Sequence, residues 1–590
     1  MIGKQYAWAV ASLLALVAFL EPSAQAGRQI ATDKHNLSAT GPGTVKATSE
    51  DQICVFCHAP HNSAPTAPLW NREAIGNIYT PYASSTLKSA PGQPNGASLL
   101  CLSCHDGTVA LGKVFSRAAE IAMVGGPGAK MPPGDRNLGI DLRDDHPVSF
   151  TYASSLPNAE LAGAATLTGR VKLDATGRMQ CTACHDAHSN EFSKFLVRTN
   201  VASAICITCH TRTNWATSDH ATKTNTWTGT STPNPWPRTG GGTVFNYTTV
   251  AQNACENCHR PHTAAGAPRI LNFLPEEDNC LVCHKAGAMS PAAPNIATEL
   301  SSKASVHSMV TTLPGVHDPV EPATVVTRHV ECADCHNPHQ TKGPASLNAA
   351  GSNLPLANPL IGVRGVTIAG DAVNPVNFEY QICFRCHADT ADKAPPRITR
   401  QHVQGNTRLE FQTTNPSFHP IAGPRGRADM PSLISPWTSA STMKCTHCHN
   451  NNAGPRLGVV GTGPNGPHGS DYTPILNRQY STADPAPSTY SDALYELCYQ
   501  CHSSTSILGN DSFKEHDKHI RGERTPCSTC HDPHGVSGTQ GNLTRNASLI
   551  NFNTSVVTPS GANLYWQDDG VFQGRCYLNC HGKNHSPETY

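Results

Sequence analysis

The sequence predicts a mostly irregular fold with short α-helices, divided into six tandem modules. Three observations lead to this prediction. Hydrophobic residues make up 38% and aromatic residues 6% of the 590-residue chain, which is little material for conventional cores. The 47 glycines and 46 prolines favour turns over long helices and strands. The 24 cysteines recur in closely spaced pairs, which indicates an internal repeat.

The charge balance excludes one broad class of function. The chain carries 43 basic and 43 acidic residues, and no cluster of lysines or arginines occurs along it. A strongly basic nucleic-acid binder is therefore excluded. Three turn-rich stretches, 125–139, 213–249 and 450–491, are predicted to be loops or linkers.

The N-terminus has the features of a secretory signal peptide over residues 1–26. Lys4 precedes an apolar run over residues 7–20, and Ala24-Gln25-Ala26 forms a cleavage site of the A-x-A type. The alternative is an uncleaved anchor, although the apolar run is short for a membrane span. We expect an exported, soluble protein in the periplasm or at the outer surface, with no transmembrane segment after signal removal.

The cysteine pairs are interpreted as twelve attachment sites of the C-x-x-C-H type for covalently bound haem c. Two thiols at this spacing add to the two vinyl groups of one porphyrin, and the next residue supplies the proximal imidazole. Zinc ribbons also use paired cysteines but do not require the following histidine. In chain order, sites 1 to 12 are Cys54, Cys57 and His58; Cys101, Cys104 and His105; Cys181, Cys184 and His185; Cys206, Cys209 and His210; Cys255, Cys258 and His259; Cys280, Cys283 and His284; Cys332, Cys335 and His336; Cys383, Cys386 and His387; Cys445, Cys448 and His449; Cys498, Cys501 and His502; Cys527, Cys530 and His531; and Cys576, Cys580 and His581.

Twelve haems in 590 residues leave roughly 50 residues for each, too few to enclose each porphyrin in its own globule. We therefore expect the haems to pack in a closely stacked chain and to replace the missing core. Each ferric bis-imidazole haem adds one positive charge and two propionates, so the loaded protein should carry about −12 when oxidised and about −24 when reduced. The holoprotein should be acidic although the sequence pI is 7.3.

The sites alternate in type, which divides the chain into modules of two haems. Five motifs continue to a second histidine, and plain motifs lie between them. The clearest repeat is His146, Cys181, His188 and Cys206, which recurs 74 residues later as His220, Cys255, His262 and Cys280. The predicted dihaem modules 1 to 6 cover residues 27–125, 126–213, 214–290, 291–391, 392–505 and 506–590.

The function depends on the second axial ligand of each iron, because an iron closed by two histidines only passes electrons. Of 30 histidines, twelve are proximal, and His447 inside its own motif is poorly placed to reach a distal face. Each module is predicted to supply one histidine upstream and one downstream of its first motif. The downstream set is His61, His188, His262, His339, His468 and His534, and the upstream set is His35, His146, His220, His307 (or His317 or His329), His419 (or His402) and His516 (or His519).

Module 5 departs from this pattern because its first motif continues as C-H-N-N-N. His468 is therefore a substitute for the missing downstream ligand. If any iron is open, we expect it in this module.

The segments at residues 54–62 (CVFCHAPHN), 100–112 (LCLSCHDGTVALG) and 527–535 (CSTCHDPHG) carry a family resemblance. From about residue 35 onwards the chain resembles the multihaem c-type cytochromes with doubled C-x-x-C-H modules, found on the outer surface and in the periplasm of metal-respiring bacteria. The resemblance implies stacked haems, bis-histidine ligation and little regular secondary structure. It also implies redox protein partners or an extracellular electron acceptor, and either an outer-membrane porin or self-assembly.

Two functions remain open. The first is an electron conductor with no catalytic residue, because histidines outnumber the irons. The second is an oxidoreductase with one open haem, in the manner of multihaem nitrite or hydroxylamine enzymes, some of which carry C-x-x-C-K. No C-x-x-C-K occurs in this sequence, so the first function is preferred. A storage or filament role has no feature that tests it.

Overall fold

The computed structural model describes residues 30–61, 63–64, 69–73, 76–229, 247–266, 268–309, 317–323, 329–343, 354, 356–390, 395–425, 430–457 and 459–590. All 30 histidines and all 24 cysteines lie within these ranges. The predicted signal peptide, residues 1–26, and the centre of the predicted loop 213–249 lie outside them.

The chain divides into two compact units. The first unit comprises Met1–Ala74, Ala110–Lys130 and Cys184–Val197, and the second comprises Ile75–Val109, Met131–Ala183 and Arg198–Tyr590. These units do not follow the six predicted modules, so the division into modules of two haems stays a prediction.

The helices of the second unit are short and are distributed along its length. Eleven α-helices are found in the described residues, and the longest has 10 residues. Single 3-10 turns lie at several attachment sites, for example Ile53–Phe56 in the first unit and Cys206–Thr208 in the second. The helices α1 to α11 are Gly96–His105, Asp219–Thr222, Val250–Asn253, Asp278–Leu281, Ile296–Ser302, Cys332–Cys335, Glu379–His387, Thr407–Glu410, Glu496–Tyr499, Ser504–Leu508 and Cys527–Cys530.

The strands form small antiparallel sheets, five of them with two strands of two residues each. The exception is a three-stranded meander of β11, β12 and β13 at the C-terminal end of the second unit. The strands β1 to β13 are Phe150–Thr151, Arg178–Met179, Thr226–Trp227, Met289–Ser290, Ser305–Val306, Gly365–Val366, Ala372–Val373, Ser417–Phe418, Gly469–Ser470, Gly535–Val536, Tyr565–Gly570, Gln573–Cys580 and Lys583–Thr589.

Two of the small sheets connect segments that are far apart in sequence and bring pairs of histidines together. Strand β5 pairs with β9, and β8 pairs with β10. In both sheets an upstream histidine follows the first strand (His307 or His419), and a downstream histidine precedes the second (His468 or His534). The antiparallel register therefore places the two histidines side by side.

The sheet of β8 and β10 also requires glycine after the downstream histidine. Gly535 has a φ of +139°, and a Cβ there would lie 2.6 Å from the carbonyl oxygens of Glu410 and Ser417. Only glycine combines this backbone angle with so close an approach.

Hydrophobic packing is spread over small clusters rather than one core, and the attachment cysteines take part in them. Phe552, Val557 and Leu578 form one buried cluster, against which Cys530, Cys576 and Cys580 pack. Tyr495, Leu508 and Ile520 form another, which includes Cys527. Thioether-linked porphyrins would extend these clusters, as the low apolar content predicts.

The expectation of a mostly irregular chain with short helices is confirmed. The three-stranded C-terminal sheet was not predicted. Among the described helices, none has the length and apolar character needed to cross a bilayer.

Candidate haem sites

The C-x-x-C-H motifs share a local conformation that places both thiols and the histidine together. The amide of His336 donates to the carbonyl of Cys332 at 3.0 Å, and the amide of His531 donates to that of Cys527 at 2.9 Å. Such a bond from the fifth residue to the first closes a helical turn. Residues three and four apart then lie on the same side of the turn, which suits attachment to one porphyrin.

Site 12 departs from the pattern expected for all twelve sites. Three residues, 577–579, separate Cys576 from Cys580, so the motif is C-x-x-x-C-H rather than C-x-x-C-H. Both cysteines lie on strand β12, and His581 directly follows it with a φ of +49°. The interpretation of the last pair as another C-x-x-C-H copy was therefore wrong.

Eight of the proximal histidines face a second imidazole at nearly constant separation. The ring centroids lie 6.0 to 6.4 Å apart in all eight pairs, while the angle between the ring planes varies widely. The pairs are His58–His188 (6.0 Å, 15°), His146–His210 (6.3 Å, 80°), His220–His284 (6.4 Å, 79°), His259–His339 (6.1 Å, 7°), His307–His387 (6.0 Å, 40°), His336–His468 (6.1 Å, 15°), His449–His534 (6.3 Å, 55°) and His516–His531 (6.4 Å, 43°).

This separation fits an iron between two imidazoles. With metal–nitrogen bonds of about 2 Å, and the further distance from each nitrogen to its ring centre, two opposing imidazole centroids lie roughly 6.3 Å apart. Direct packing of aromatic rings permits a wide range of separations, from about 4.5 to 7 Å. The constant spacing at varied ring angles is the feature that iron ligation requires.

The pairs follow a rule along the chain. At the first site of modules 1, 3, 4 and 5, the proximal histidine faces the downstream histidine of the next module, as His259 faces His339. At the second site of modules 2, 3 and 4, it faces the upstream histidine of its own module, as His284 faces His220. The pair His516–His531 breaks this rule, because an upstream histidine there faces a first site.

Hydrogen bonds from histidine side chains to backbone carbonyls connect consecutive modules next to these rings. His220 Nδ1 bonds the carbonyl of Pro338, the residue before His339, at 2.8 Å. His419 Nδ1 likewise bonds the carbonyl of Pro533, the residue before His534. A proline precedes five of the six downstream histidines, including His468, so the Pro-His dipeptide is the sequence signal that supports the substitute in module 5.

Most imidazoles engage Nδ1 and so leave Nε2 for a metal. His336 Nδ1 bonds the carbonyl of Pro359 at 3.0 Å, and His449 Nδ1 bonds that of Pro474 at 3.1 Å. In two cases a carboxylate takes the place of the carbonyl. Asp145 Oδ1 lies 3.0 Å from His262 Nδ1, and Glu410 Oε2 lies 3.1 Å from His534 Nδ1. Such second contacts fix the tautomer and the ring orientation of a ligand.

Burial favours the neutral, metal-binding form of several of these imidazoles. Burial, followed by the neighbouring charge of His146, lowers the pKa of His210 to about 3. Burial likewise lowers the pKa of His449 to about 4, with His534 as the next cause. A neutral imidazole offers its Nε2 lone pair to iron.

The remaining C-x-x-C-H sites have the same second contacts. His105 Nδ1 bonds the carbonyl of Arg136 at 2.8 Å, and His185 Nδ1 bonds that of Lys194 at 3.0 Å. At site 10, Ser432 Oγ lies 3.0 Å from His502 Nδ1. Burial lowers the pKa of His502 to about 4, and the next cause is the charge of His419, the predicted upstream histidine of the same module.

The first site of module 5 has a facing histidine. The ring of His449 faces His534, and the substitute His468 faces His336 of module 4. His502 of the second site belongs to none of the eight pairs, so the expectation of an open iron in this module stays a prediction for that site.

His61 and His35 stay predicted ligands of module 1, whereas His447 is engaged within its own motif. His61 is exposed. In the described part of the chain, His35 Nδ1 bonds the carbonyl of Ala187 at 3.0 Å. His447 accepts the Lys444 amide on Nδ1 at 2.7 Å and packs edge-on against Trp437, which agrees with its exclusion from the distal set.

The alternatives His317 and His329 belong to a buried ion-pair cluster instead. His317 Nδ1 lies 2.8 Å from Glu331 Oε2, and Asp334 Oδ1 lies 3.1 Å from Arg385 Nη1. His329 Nε2 lies 3.2 Å from a carboxylate oxygen of Glu321. These contacts leave His307 as the histidine of module 4 that faces a proximal ring.

The second site of one module lies next to the first site of the following module. In the second unit the thiol of the second site in one module hydrogen-bonds the first thiol of the next module, which places the two attachment edges together. The five contacts are Cys101–Cys181, Cys206–Cys255, Cys280–Cys332, Cys383–Cys445 and Cys498–Cys527.

The two sites within a module are also close in modules 4, 5 and 6. Cys335 interacts electrostatically with Cys383, Cys448 with Cys498, and Cys530 with Cys576. From site 7 to site 12, each site is thus next to the one that follows it in sequence.

Comparisons with known families agree with this geometry. Residues 247–417 match the family described as outer membrane cytochrome MtrC/MtrF-like, domains II/IV. Residues 175–214 match the doubled CXXCH motif. No curated protein shows significant similarity to the chain.

Proposed function

Because this chain is a multihaem c-type cytochrome, we propose that it conducts electrons along a single row of twelve covalently bound haems. Haem supplies reversible one-electron chemistry at each site. The residues of the chain set the order of the sites, close the iron coordination and exclude substrates from most irons. The proposed physiological setting of such conduction is respiration with an acceptor outside the cell.

The observation that carries the proposal is the set of eight imidazole pairs with centroids 6.0 to 6.4 Å apart. Two histidines on one iron leave no position for a substrate. An iron of this kind changes its oxidation state without exchanging ligands, which suits electron transfer and not catalysis.

The touching cysteines support a row that follows the chain order. The second site of one module contacts the first site of the next module through the first cysteine of each site, as Cys383 contacts Cys445. Sites within a module are close through the second cysteine, as Cys448 is to Cys498. From site 7 to site 12, alternation of these two contacts gives each interior site two neighbours, which supports electron transfer from module to module.

The ligand pattern also stabilises the row. Since the downstream histidine of one module faces the first site of the preceding module, iron ligation at that site joins two modules. His339, for example, would join module 4 to module 3 through the iron at His259. Loss of one such bond should weaken the contact between two modules as well as the haem site itself.

Partners and location belong to the same proposal. The match over 247–417 concerns outer membrane cytochromes, which supports export to the cell surface and contact with a redox protein, a porin or an extracellular acceptor. Since no curated protein shows significant similarity to the chain, the partner is proposed as a one-electron donor or acceptor.

The experiment that tests conduction interrupts the row. The double variant Cys383→Ala, Cys386→Ala removes site 8 from the middle, and Cys576→Ala, Cys580→Ala removes site 12 from one end. Fully reduced holoprotein is mixed with a ferric chelate in a stopped-flow instrument, and haem oxidation is followed by absorbance.

The intact protein and the end variant should be oxidised with the same set of rates. The mid-row variant should show an added slow phase, because electrons on one side of the gap reach the surface by fewer routes. Intact mass must show the loss of one haem in both variants. Identical kinetics in all three proteins would refute a continuous row.

A further inference from the structure

Sites 7 and 9 have the same proximal contacts but differ in the contacts of the distal histidine. Their imidazole pairs are His336–His468, with ring centroids 6.1 Å apart, and His449–His534, with centroids 6.3 Å apart. On the proximal side, Nδ1 bonds the carbonyl of a proline at both sites, at 3.0 Å in site 7 and at 3.1 Å in site 9. On the distal side, each histidine directly precedes one strand of a two-stranded sheet. The two sites therefore form a natural comparison.

The distal ring of site 9 has a carboxylate behind it, and that of site 7 does not. His534 Nδ1 donates to Oε2 of Glu410 at 3.1 Å. The Glu410 side chain is only 13% exposed, so water screens its charge weakly. Nδ1 of His468 is buried, and the described part of the chain offers it no hydrogen-bond partner.

The surrounding segment fixes the position of Glu410. It is the last residue of helix α8, which begins after the N-cap residue Asn406, whose side chain accepts the amide of Arg408 at 3.1 Å. The next residue, Phe411, is buried in a hydrophobic cluster, and its ring centroid lies 5.1 Å from that of His534. Capping and packing therefore hold the carboxylate beside the imidazole.

A second carboxylate near His534 is balanced by a cation. Asp532 Oδ1 accepts the backbone amide of His534 at 3.2 Å. Its other oxygen lies 3.6 Å from Nε of Arg400 and accepts Nδ2 of Asn551 at 3.0 Å. Glu410 is thus the group that brings negative charge to Nδ1 of the distal ring.

We infer that Glu410 is a positioning residue that sets the midpoint potential of the iron at site 9 below that of the iron at site 7. The hydrogen bond orients the His534 ring and makes it a more basic ligand. The carboxylate also stabilises the additional positive charge of the ferric state. Both effects favour oxidised iron at site 9, whereas His468 supplies neither of them at site 7.

This inference deepens the proposed function and rests on haem attachment at the two sites. It adds a step in potential between the first sites of modules 4 and 5. In a partly reduced protein, electrons occupy site 7 before site 9.

The test begins with the two potentials in the intact holoprotein, measured by spectroelectrochemical titration. The variant Cys332→Ala, Cys335→Ala removes site 7, and Cys445→Ala, Cys448→Ala removes site 9. Each variant should lose one haem by intact mass. The difference between its titration and that of the intact protein gives the potential of the missing haem, and site 9 should have the more negative value.

The variant Glu410→Gln then isolates the charge, because glutamine keeps an oxygen that can accept from His534 Nδ1. The same difference titration should give a higher potential for site 9 and an unchanged potential for site 7. The matched control is Glu496→Gln, which removes another carboxylate of module 5, one that is 49% exposed and lies 3.1 Å from Nε of Arg478. This control should leave the potential of site 9 unchanged.

Three results would overturn the inference. They are a potential at site 9 equal to or above that at site 7, a Glu410→Gln titration that matches the intact protein, and loss of a haem from Glu410→Gln, which would make Glu410 a structural residue. A failure of conduction is seen separately, because an equilibrium titration does not depend on the route by which electrons reach each iron.

Discussion

The imidazole rings of His259 and His339 lie parallel, 6.1 Å apart and inclined by 7°, although they belong to different modules. The rings of His146 and His210 have a similar separation of 6.3 Å, but their planes are inclined by 80°. The constant separation and the variable angle suggest that the backbone sets the ring orientation while one iron accounts for the distance. The angle between the two ligand planes in turn affects the electronic structure of a low-spin iron.

The oxidised protein should therefore show two classes of low-spin haem by electron paramagnetic resonance. Near-parallel pairs such as His259–His339 should give rhombic signals, and near-perpendicular pairs such as His146–His210 should give strongly anisotropic ones. His339→Ala should remove intensity from the first class, and His146→Ala from the second. A single class of signal in the intact protein would contradict these ring angles.

Replacement of one distal histidine should alter one haem in twelve. In His188→Met, a thioether replaces the imidazole that faces His58 at 6.0 Å, and the midpoint potential of that iron should rise by on the order of 100 mV or more, within the wide range set by axial ligands. The matched control is His61→Met, since His61 is an exposed histidine of the same unit. Spectroelectrochemical titration checks both variants, and a titration of His188→Met that matches the intact protein would exclude His188 as a ligand.

The buried cluster around His317 should make stability depend on pH. Burial alone would lower the pKa of His317, but the hydrogen bond to Glu331 and the charges of Asp334 and Glu276 raise it above its ordinary value of 6.5. The folded protein thus holds this proton more tightly than the unfolded chain. The contribution is fully present below pH 6.5 and is lost as the pH rises through the folded-state pKa.

Thermal unfolding of the holoprotein at several pH values measures this effect. The variant His317→Gln should remove the decline above pH 6.5 and should be less stable at pH 6 by about 3 kcal/mol, because Glu331 stays buried without its partner. The control His402→Gln alters a histidine outside this cluster. An unchanged pH profile in His317→Gln would exclude a proton on His317.

The N-terminal segment should be absent from the mature protein. The A-x-A site at residues 24–26 predicts cleavage after Ala26, so that Gly27 is the first residue. Intact-mass spectrometry of the exported protein gives the answer directly. A mass that includes residues 1–26 would show an uncleaved anchor instead.

The holoprotein should be more acidic than its sequence. Twelve haems bring about 24 propionate groups and a charge of about −12 in the oxidised state, although the sequence pI is 7.3. Isoelectric focusing of the holoprotein should give a pI well below 7. A value near 7.3 would mean that propionates are protonated or that haems are missing.

Parts of the fold and of the sites could be predicted because they depend on short stretches of chain. A C-x-x-C-H motif closes one helical turn, as from Cys332 to His336, and needs no distant contact to do so. The scarcity of long helices and strands follows from the glycine, proline and apolar content. The C-terminal sheet was missed because site 12 was interpreted as one more helical turn.

The sequence predicts a list of distal histidines, but it does not predict which proximal histidine each of them faces. The sequence supports His307 and two alternatives equally, and the contacts of Glu331 and Glu321 remove the alternatives by engaging them in ion pairs. The substitute His468 was chosen without a motif, and its place depends on the pairing of β5 with β9. Such choices need contacts between segments that no local pattern describes.

The sequence by itself determined the attachment chemistry, the twelve cysteine pairs and the order of the sites, because thioether formation depends on residues within five or six positions of one another. Only the tertiary structure decided which imidazole faces which proximal histidine, since each pair joins residues that strand pairing and backbone hydrogen bonds bring together from far along the chain. The same long-range contacts turn His516 towards His531 and leave His581 with Asp484. The physical reason is that a covalent motif is local, whereas axial ligation is a relation between distant segments.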